Sequence, residues 1–281
     1  VDVFSNALTI DVEDWYHVCG FERKQLIPRS SWRVCFASER ILKLLDEYKV
    51  KATFFILGSV AAAEPELVKL IVAGGHEVAS HGWSHGLIHH LTPDQFRDEL
   101  AQTEDIIQAQ SGCLPIGFRA PQWSVSERTP WVHDILVERG YQYDSSLNPL
   151  PFIGNRKGLR VPSRIITASG ELCEFPPLVT PTWFGNLPTG GGWGFRFFPA
   201  ALVEHTVRRL NAAGNPAVLY LHPRDLDPDG PRLSLPPLKR FAAYGTRTDA
   251  MPRVRRLLER FSFTSLKELV ANDLLYSDTI L

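Results

Sequence analysis

Residues 51–80, KATFFILGSVAAAEPELVKLIVAGGHEVAS, decide the fold. Residues 52–57 read as a strand, and a helix then starts with Pro65 near its first turn and stops at Gly74-Gly75. Residues 76–80 form a second short strand that runs into a histidine-rich loop. Strand, helix and strand in one such interval make a βαβ unit, the building block of a parallel sheet.

The same alternation extends in both directions. Upstream, residues 7–12 read as a strand and residues 38–48 as a helix with Ile41, Leu42, Leu45 and Tyr48 on one face. Downstream, Thr92 is placed to cap a helix, with Pro93 in its first turn and Gln95 completing a capping box; Phe96, Leu100, Thr103 and Ile107 follow at helical spacing up to Gly112. Strands are expected at 117–120, 141–144, 172–175 and 217–221, and helices at 199–213 and around 254–261, ahead of residues 263–270. The chain is therefore expected to be one α/β domain over residues 1–281, with a Pro/Gly-rich loop excursion at about 148–199. That excursion, which contains Gly190-Gly191-Gly192, reads equally as a surface loop or as one wall of a site.

Composition narrows the functional classes. The chain has 281 residues, 44% hydrophobic and 22% charged, enough to bury a sizeable core. Its 30 basic and 31 acidic residues leave a formal charge of -1, so no global field attracts nucleic acid. The basic clusters Arg208-Arg209 and Arg253 to Arg256 fall in helical patterns and read as solvated faces. No apolar run reaches the roughly 18 residues of a membrane span. Cys19, Cys35, Cys113 and Cys173 are scattered and read as free thiols. With a first segment that runs straight into a strand, this makes a cytoplasmic location the expectation, although a removed leader is compatible with a chain starting at Val1.

Polar residues gather just after the predicted strands, where α/β barrels carry their active sites. Asp11, Glu13 and Asp14 close the first strand. His81 and His85 are four apart, a spacing that lets two imidazoles reach one metal ion. Arg119, Pro121 and Trp123 follow a later strand, and His222 ends the apolar run at 217–221. Together these supply a carboxylate and two histidines for a metal, a second carboxylate as base and a remote histidine as acid, which suffices for metal-assisted hydrolysis. Tyr16, His17, Trp83, Trp123 and Trp193 could offer flat apolar surfaces to sugar rings, or belong to the core.

The order of these motifs resembles carbohydrate esterase family 4, the NodB-homology polysaccharide deacetylases. The matching segments are Thr9-Ile-Asp11-Val-Glu13-Asp14, Ser80-His81-Gly-Trp-Ser84-His85, Arg119-Ala-Pro121 and Leu219 to His222. Ala52-Thr-Phe-Phe55, Gly74-Gly-His-Glu-Val78 and Tyr143-Asp144-Ser145-Ser146 are similar as well, so the likeness extends over roughly residues 7–270. Asp-Val-Glu-Asp-Trp near the start, the glycine run before Phe195-Arg-Phe-Phe-Pro199, and His222-Pro-Arg-Asp225 resemble a subgroup tied to exopolysaccharide or cell-wall pathways and similar to peptidoglycan deacetylases and allantoinase-like proteins.

The resemblance implies a distorted, seven-stranded (β/α) TIM-like barrel that removes N-acetyl groups from an amino sugar in a polysaccharide, oligosaccharide or precursor. It implies one divalent ion, zinc being the expected one, held by His81 and His85, with Asp11 as general base and His222 as general acid. Arg119 would orient Asp11 and pair with its charge, and Asp144 would support His222. His17, Pro121 and Trp123 are the expected substrate contacts. Where the family has two adjacent aspartates, this chain has Val12 after Asp11, so the third ligand becomes Glu13 or Asp14: alternation along a strand favours Glu13, and a turn after Val12 favours Asp14. The competing expectations are an allantoinase-like amide hydrolase and a catalytically silent sugar-binding protein.

Overall fold

In the structure, a computed structural model describing residues 4–17, 27–151, 153, 158–245 and 249–272, the first strand is the axis of the sheet. The elements run β1 (Ser5–Val12), α1 (Val34–Glu47), β2 (Thr53–Ile56), α2 (Gly58–Ala63), α3 (Pro65–Ala73), β3 (Glu77–Ser80), α4 (Pro93–Ser111), β4 (Gly117–Phe118), α5 (Trp131–Glu138) and β5 (Tyr143–Asp144). They continue with β6 (Ser163–Thr167), β7 (Gly170–Glu174), β8 (Thr180–Thr182), β9 (Gly185–Leu187), α6 (Gly192–Phe197), α7 (Ala200–Ala212), β10 (Val218–Leu221), α8 (Pro237–Tyr244), α9 (Met251–Leu258), β11 (Ser262–Thr264) and α10 (Leu266–Ala271).

Seven strands lie side by side and parallel in the order β10-β1-β2-β3-β4-β5-β7. β6 adds an antiparallel edge to β7, and β11 pairs in parallel with the start of β1. The expected seven-stranded barrel is thus present in distorted form. Its closing seam is made by backbone bonds outside the main ladder: Leu178 N–H donates to Val218 O at 2.8 Å and Tyr220 N–H to Gly190 O at 2.9 Å.

This seam explains the glycine run. A Cβ on Gly190 would lie 2.5 Å from Leu178 O, one on Gly191 2.3 Å from Tyr220 O, and one on Gly194 1.7 Å from Pro188 O. Side chains are excluded because main chains meet there. The described part of residues 148–199 is more than a surface loop: Asn148, Leu150, Pro188 and Trp193 line the cavity at the open end, in keeping with the wall of a site. This part holds the β6–β7 and β8–β9 hairpins and α6, and its Pro and Gly residues mark tight turns and close contacts within that structure.

Alternation along the strands sorts the side chains. Leu8, Ile10, Val12, Phe54 and Ile56 pack outward against the flanking helices in the largest apolar cluster. Ala7, Phe55, Ala79, Tyr143, Phe175 and Val218 point into the barrel, where Leu266 and Leu269 of α10 join them. Each large side chain buried this way contributes roughly 1.5–3 kcal/mol. The α10 plug is also tied by polar bonds: Leu266 N–H donates to Thr53 Oγ1 at 2.8 Å and Lys267 N–H to Glu77 Oε2 at 2.9 Å. With one end of the barrel filled, the open end is the one at which β1, β3, β4 and β10 terminate.

Local signals hold closely for α4. Thr92 Oγ1 accepts from Gln95 N–H, Gln95 Oε1 accepts from Thr92 N–H, and Gly112 ends the helix at φ 80°. The basic cluster at Arg253 to Arg256 is more engaged than a solvated face: Arg256 and Arg208 both contact the buried Glu204, and Arg253 Nη1 donates to Phe195 O and Phe198 O, each at 2.6 Å. Cys35 and Cys113 are free thiols, while Cys19 lies outside the described residues. Among the described residues no helix is long and apolar enough to cross a membrane.

Candidate active site

Four segments deliver their polar side chains to the open end of the barrel. On β1 the inward parity that places Ala7 and Thr9 inside continues to Asp11 and Glu13. Asp14 has the opposite parity and points away from them. Its carboxylate accepts from the backbone N–H groups of Trp15 at 2.7 Å, Arg33 at 3.0 Å and Val34 at 3.3 Å, so it anchors the chain entering α1.

Of the two carboxylates that could complete a ligand set, Glu13 is the one brought to the histidines. Its Oε1 lies 3.2 Å from His81 Nε2 and 2.9 Å from His85 Nε2. Arg224 Nη1 donates to the other oxygen, Oε2, at 2.7 Å. The donor set fits a divalent ion: the facing ligand atoms of Glu13, His81 and His85 all lie within 4.8 Å of one another. His81 Nδ1 lies 2.7 Å from Arg119 O, and donating its proton there leaves Nε2 with a lone pair for a metal. Burial alone would raise the Glu13 carboxyl, but the charges of His85, His222 and Arg224 outweigh it and hold the group well below the usual carboxylate range.

The loop carrying both histidines is held from outside. Glu99 on α4 accepts from Trp83 N–H at 3.1 Å and Ser84 N–H at 3.4 Å, and also bonds the Ser84 hydroxyl. Gly58 N–H donates to Gly82 O at 2.8 Å. His85 itself sits at φ 64°, a conformation a non-glycine residue keeps only when its surroundings enforce it.

Asp11 and His222 occupy the other side of the same space. Arg119, fully buried, donates through Nη1 to Asp11 Oδ1 at 2.6 Å and to Thr9 Oγ1 at 2.8 Å. Its Nη2 reaches Ser145 Oγ at 2.7 Å and its Nε Ser145 O at 3.1 Å, and the guanidinium lies 4.2 Å over the Phe55 ring. A guanidinium held on so many sides cannot swing away from its carboxylate. His222 Nε2 faces Asp11 Oδ2 at 4.0 Å.

Asp144 does not support His222. Alternation on β5 sends Tyr143 and Ser145 inward and Asp144 outward, where Oδ1 accepts from Ser145 N–H at 2.8 Å and Oδ2 lies 3.1 Å from His133 Nε2 on α5. Glu174 lies beside them, and these three residues form a second convergence of metal-ligand atom types. Burial, then the charge of Asp144 and a hydrogen bond to it, push the Glu174 carboxyl well above the usual range. A proton held on Glu174 relieves the repulsion between two carboxylates placed this close.

Asp225 stands behind His222 instead. Its Oδ2 lies 3.1 Å from His222 Nδ1 and accepts His222 N–H at 2.9 Å, while Arg196 Nη2 lies 3.3 Å from Oδ1. Burial would raise the Asp225 carboxyl; the charge of Arg196 and the bond to His222 win and hold it far below the usual range. Asp225 follows His222 by three residues, the spacing of a capping box, and that signal could have marked it. Arg224 lies in the same His222-Pro-Arg-Asp225 segment, whereas Glu99 and Arg196 carry no such local signal, because each reaches the site from a distant element.

Above these groups opens a cavity of about 660 Å³, within the range of small-molecule sites. His17, Trp123, Trp193 and Tyr220 line it, together with Asp11, Glu13, His85, His222 and Arg224. Pro121 is buried and does not line it; it opens the short turn Pro121–Trp123, in which Gln122 and Trp123 take φ 52° and 56° and present the indole to the cavity. Tyr16 is buried against Trp32, and Trp83 packs over Gly58, so neither faces the cavity.

Residues 35–143 match the family model for polysaccharide deacetylase, and residues 145–271 match a domain of unknown function, DUF3473. The barrel sheet crosses the boundary between them through the β5–β7 and β1–β10 pairings. A peptidoglycan deacetylase of Helicobacter pylori is 37% identical over 124 residues, 43% of this chain and 41% of that protein. A chitooligosaccharide deacetylase of Bradyrhizobium is 35% identical over 103 residues, 36% of this chain and 44% of that one. The chain thus spans less than half the length of either relative. Among solved structures, a putative polysaccharide deacetylase from Mycobacterium smegmatis superposes with a TM-score of 0.62 at 20% identity, covering 99% of this chain and 95% of that one. An allantoinase gives 0.65 at 16% identity, covering 97% and 91%, so the barrel itself is common to both kinds of protein.

Proposed function

We propose that this chain, whose residues 35–143 belong to the polysaccharide deacetylase family, hydrolyses N-acetyl groups on an amino sugar within a carbohydrate. The observation that carries the reading is the convergence of Glu13, His81 and His85 beside an Asp11–His222 pair 4.0 Å apart, each member of which is held from behind. Deacetylase activity in the two relatives, on peptidoglycan and on chitooligosaccharides, agrees with it.

Glu13, His81 and His85 would hold a divalent cation, zinc suiting two imidazoles and one carboxylate. Once bound, the cation supplies Lewis acidity toward the acetyl carbonyl and acidifies water. Asp11, fixed by Arg119, takes the proton of the attacking water through Oδ2. Water oxygen bonds to the carbonyl carbon, the carbon–nitrogen bond breaks, and His222 delivers a proton from Nε2 to the departing nitrogen. The products are acetate and a free amino sugar. Asp225, bound to Nδ1, keeps Nε2 turned into the cavity, and Trp123 and Tyr220 wall it on one side.

Acetate release from N-acetylglucosamine oligomers and peptidoglycan fragments, measured with metal and after chelation, is the test. Metal-dependent release is expected. A folded protein with one bound zinc and no acetate from any substrate in the panel would sink the assignment.

A further inference from the structure

The β8–β9 hairpin ends in a turn whose two side chains are largely exposed. Thr182 pairs with Gly185, leaving Trp183 and Phe184 as the two turn residues. Trp183 is 96% exposed and Phe184 57%, with their rings edge to face at 5.3 Å. Two-residue hairpin turns favour Asn, Asp and Gly, whose backbones suit the turn. A bulky aromatic pair gives up that advantage and also the stabilisation that burying an indole brings. Single exposed apolar residues are ordinary; two adjacent aromatics held in water at a turn are not.

Two observations say what covers them. The hairpin is bonded to the wall of the catalytic cavity: Asn186 Nδ2 donates to Pro149 O at 2.7 Å, and the flanking Asn148 and Leu150, with Pro188 at the hairpin's base, line the cavity. The tip therefore projects from an element bonded to the cavity wall, outside the residues that line the cavity itself. The hairpin and its flanks are also uncharged, since no Asp, Glu, Lys, Arg or His occurs between Glu174 and Arg196. A neutral partner with flat apolar faces matches such a surface, and pyranose rings present apolar C–H faces.

We infer that Trp183 and Phe184 form a stacking platform for neutral sugar units several residues away from the one being deacetylated. The substrate is then an extended carbohydrate chain rather than a single activated sugar. This rests on the deacetylase reading above and specifies its substrate class.

The test compares N-acetylglucosamine dimer with hexamer as substrates of the wild type, Trp183→Ala, Trp183→Tyr and the Trp183→Ala/Phe184→Ala double variant. The ratio of kcat/KM for hexamer over dimer is expected to fall about tenfold in Trp183→Ala, through KM, and to be largely restored by tyrosine. Calorimetric hexamer binding in an Asp11→Asn background should weaken by the same factor, giving a readout independent of turnover. An exposed turn position tolerates these changes without unfolding. If the wild type neither cleaves nor binds these oligomers or peptidoglycan fragments of matching lengths, the deacetylase reading fails and the platform with it. If the wild type is active while ratio and affinity are unchanged in the double variant, the platform alone is overturned. Loss of binding to phosphatidylcholine vesicles with an unchanged ratio overturns it too, by assigning the tip to a membrane surface.

Discussion

Asp11 Oδ2 and His222 Nε2 face one another at 4.0 Å, and neither is free to turn away. Arg119 grips the far oxygen of Asp11, and Asp225 grips the far nitrogen of His222. Two proton-handling atoms are thus aimed into one space from strands near opposite ends of the chain.

This geometry separates base from acid by kinetics. Asp11→Asn is expected to lower amide turnover by about 10²- to 10⁴-fold and to lower turnover of an activated acetyl ester comparably, because water must still lose a proton. His222→Ala should be as impaired on the amide but recover much of its rate on the ester, whose leaving group needs no protonation. Equal losses for His222→Ala on the two substrates would show that it only positions substrate.

The two neighbouring carboxylates should part company on metal content. Glu13→Gln is expected to abolish bound metal, since Oε1 is the atom that faces both imidazoles. Asp14→Asn should retain metal but lose about 1–3 kcal/mol of stability, because its oxygens serve backbone N–H groups. Elemental analysis and urea unfolding of both variants decide the matter; metal lost from Asp14→Asn alone would reverse the assignment.

At the barrel seam, Gly191→Ala should cost about 3 kcal/mol or more, because its Cβ would meet backbone rather than a yielding side chain. Gly112→Ala offers the control: nothing lies within 4 Å of its Cβ, and its cost should be the smaller one of a strained φ. Equal denaturation midpoints for the two variants would contradict a packed seam.

Glu174 makes stability depend on pH. Its carboxyl holds a proton more tightly folded than at the ordinary value of 4.5, so its favourable contribution is complete below that pH and is lost as the pH rises through the folded-state value. Glu174→Gln, which mimics the protonated form, should therefore gain stability over the wild type as the pH is raised from about 5 to about 7. A gap that stays constant or shrinks across that range would show that the group is ionised in the folded protein.

The fold was legible where one rule acted alone. Hydrophobic period and caps located α3, α4 and β10, and alternation on β1 favoured Glu13 over Asp14. What stayed hidden depended on partners far away in sequence. Asp144 looked suited to serve His222 until the pleat of β5 turned it toward His133. Glu99 reads as an ordinary helix residue, and only the folded chain brings it to the backbone of Trp83. Residues 148–199 resembled a loop because glycine and proline are also what a tightly packed seam requires.

β1 has a further consequence, for how the molecule is made. Its flanks are completed by β2 on one hand and by β10 and β11 on the other, pairings that span more than two hundred residues of chain for the last two. A nascent chain emerging from the ribosome carries residues 5–12 as an unsheltered, largely apolar edge until residues 218–264 have been synthesised. Closure of the barrel therefore waits on the synthesis of residues 218–264, and refolding should be slow for the domain's size because its central strand is closed by the most distant contacts. The strand that carries Asp11 and leads into Glu13 is thus made long before it is secured.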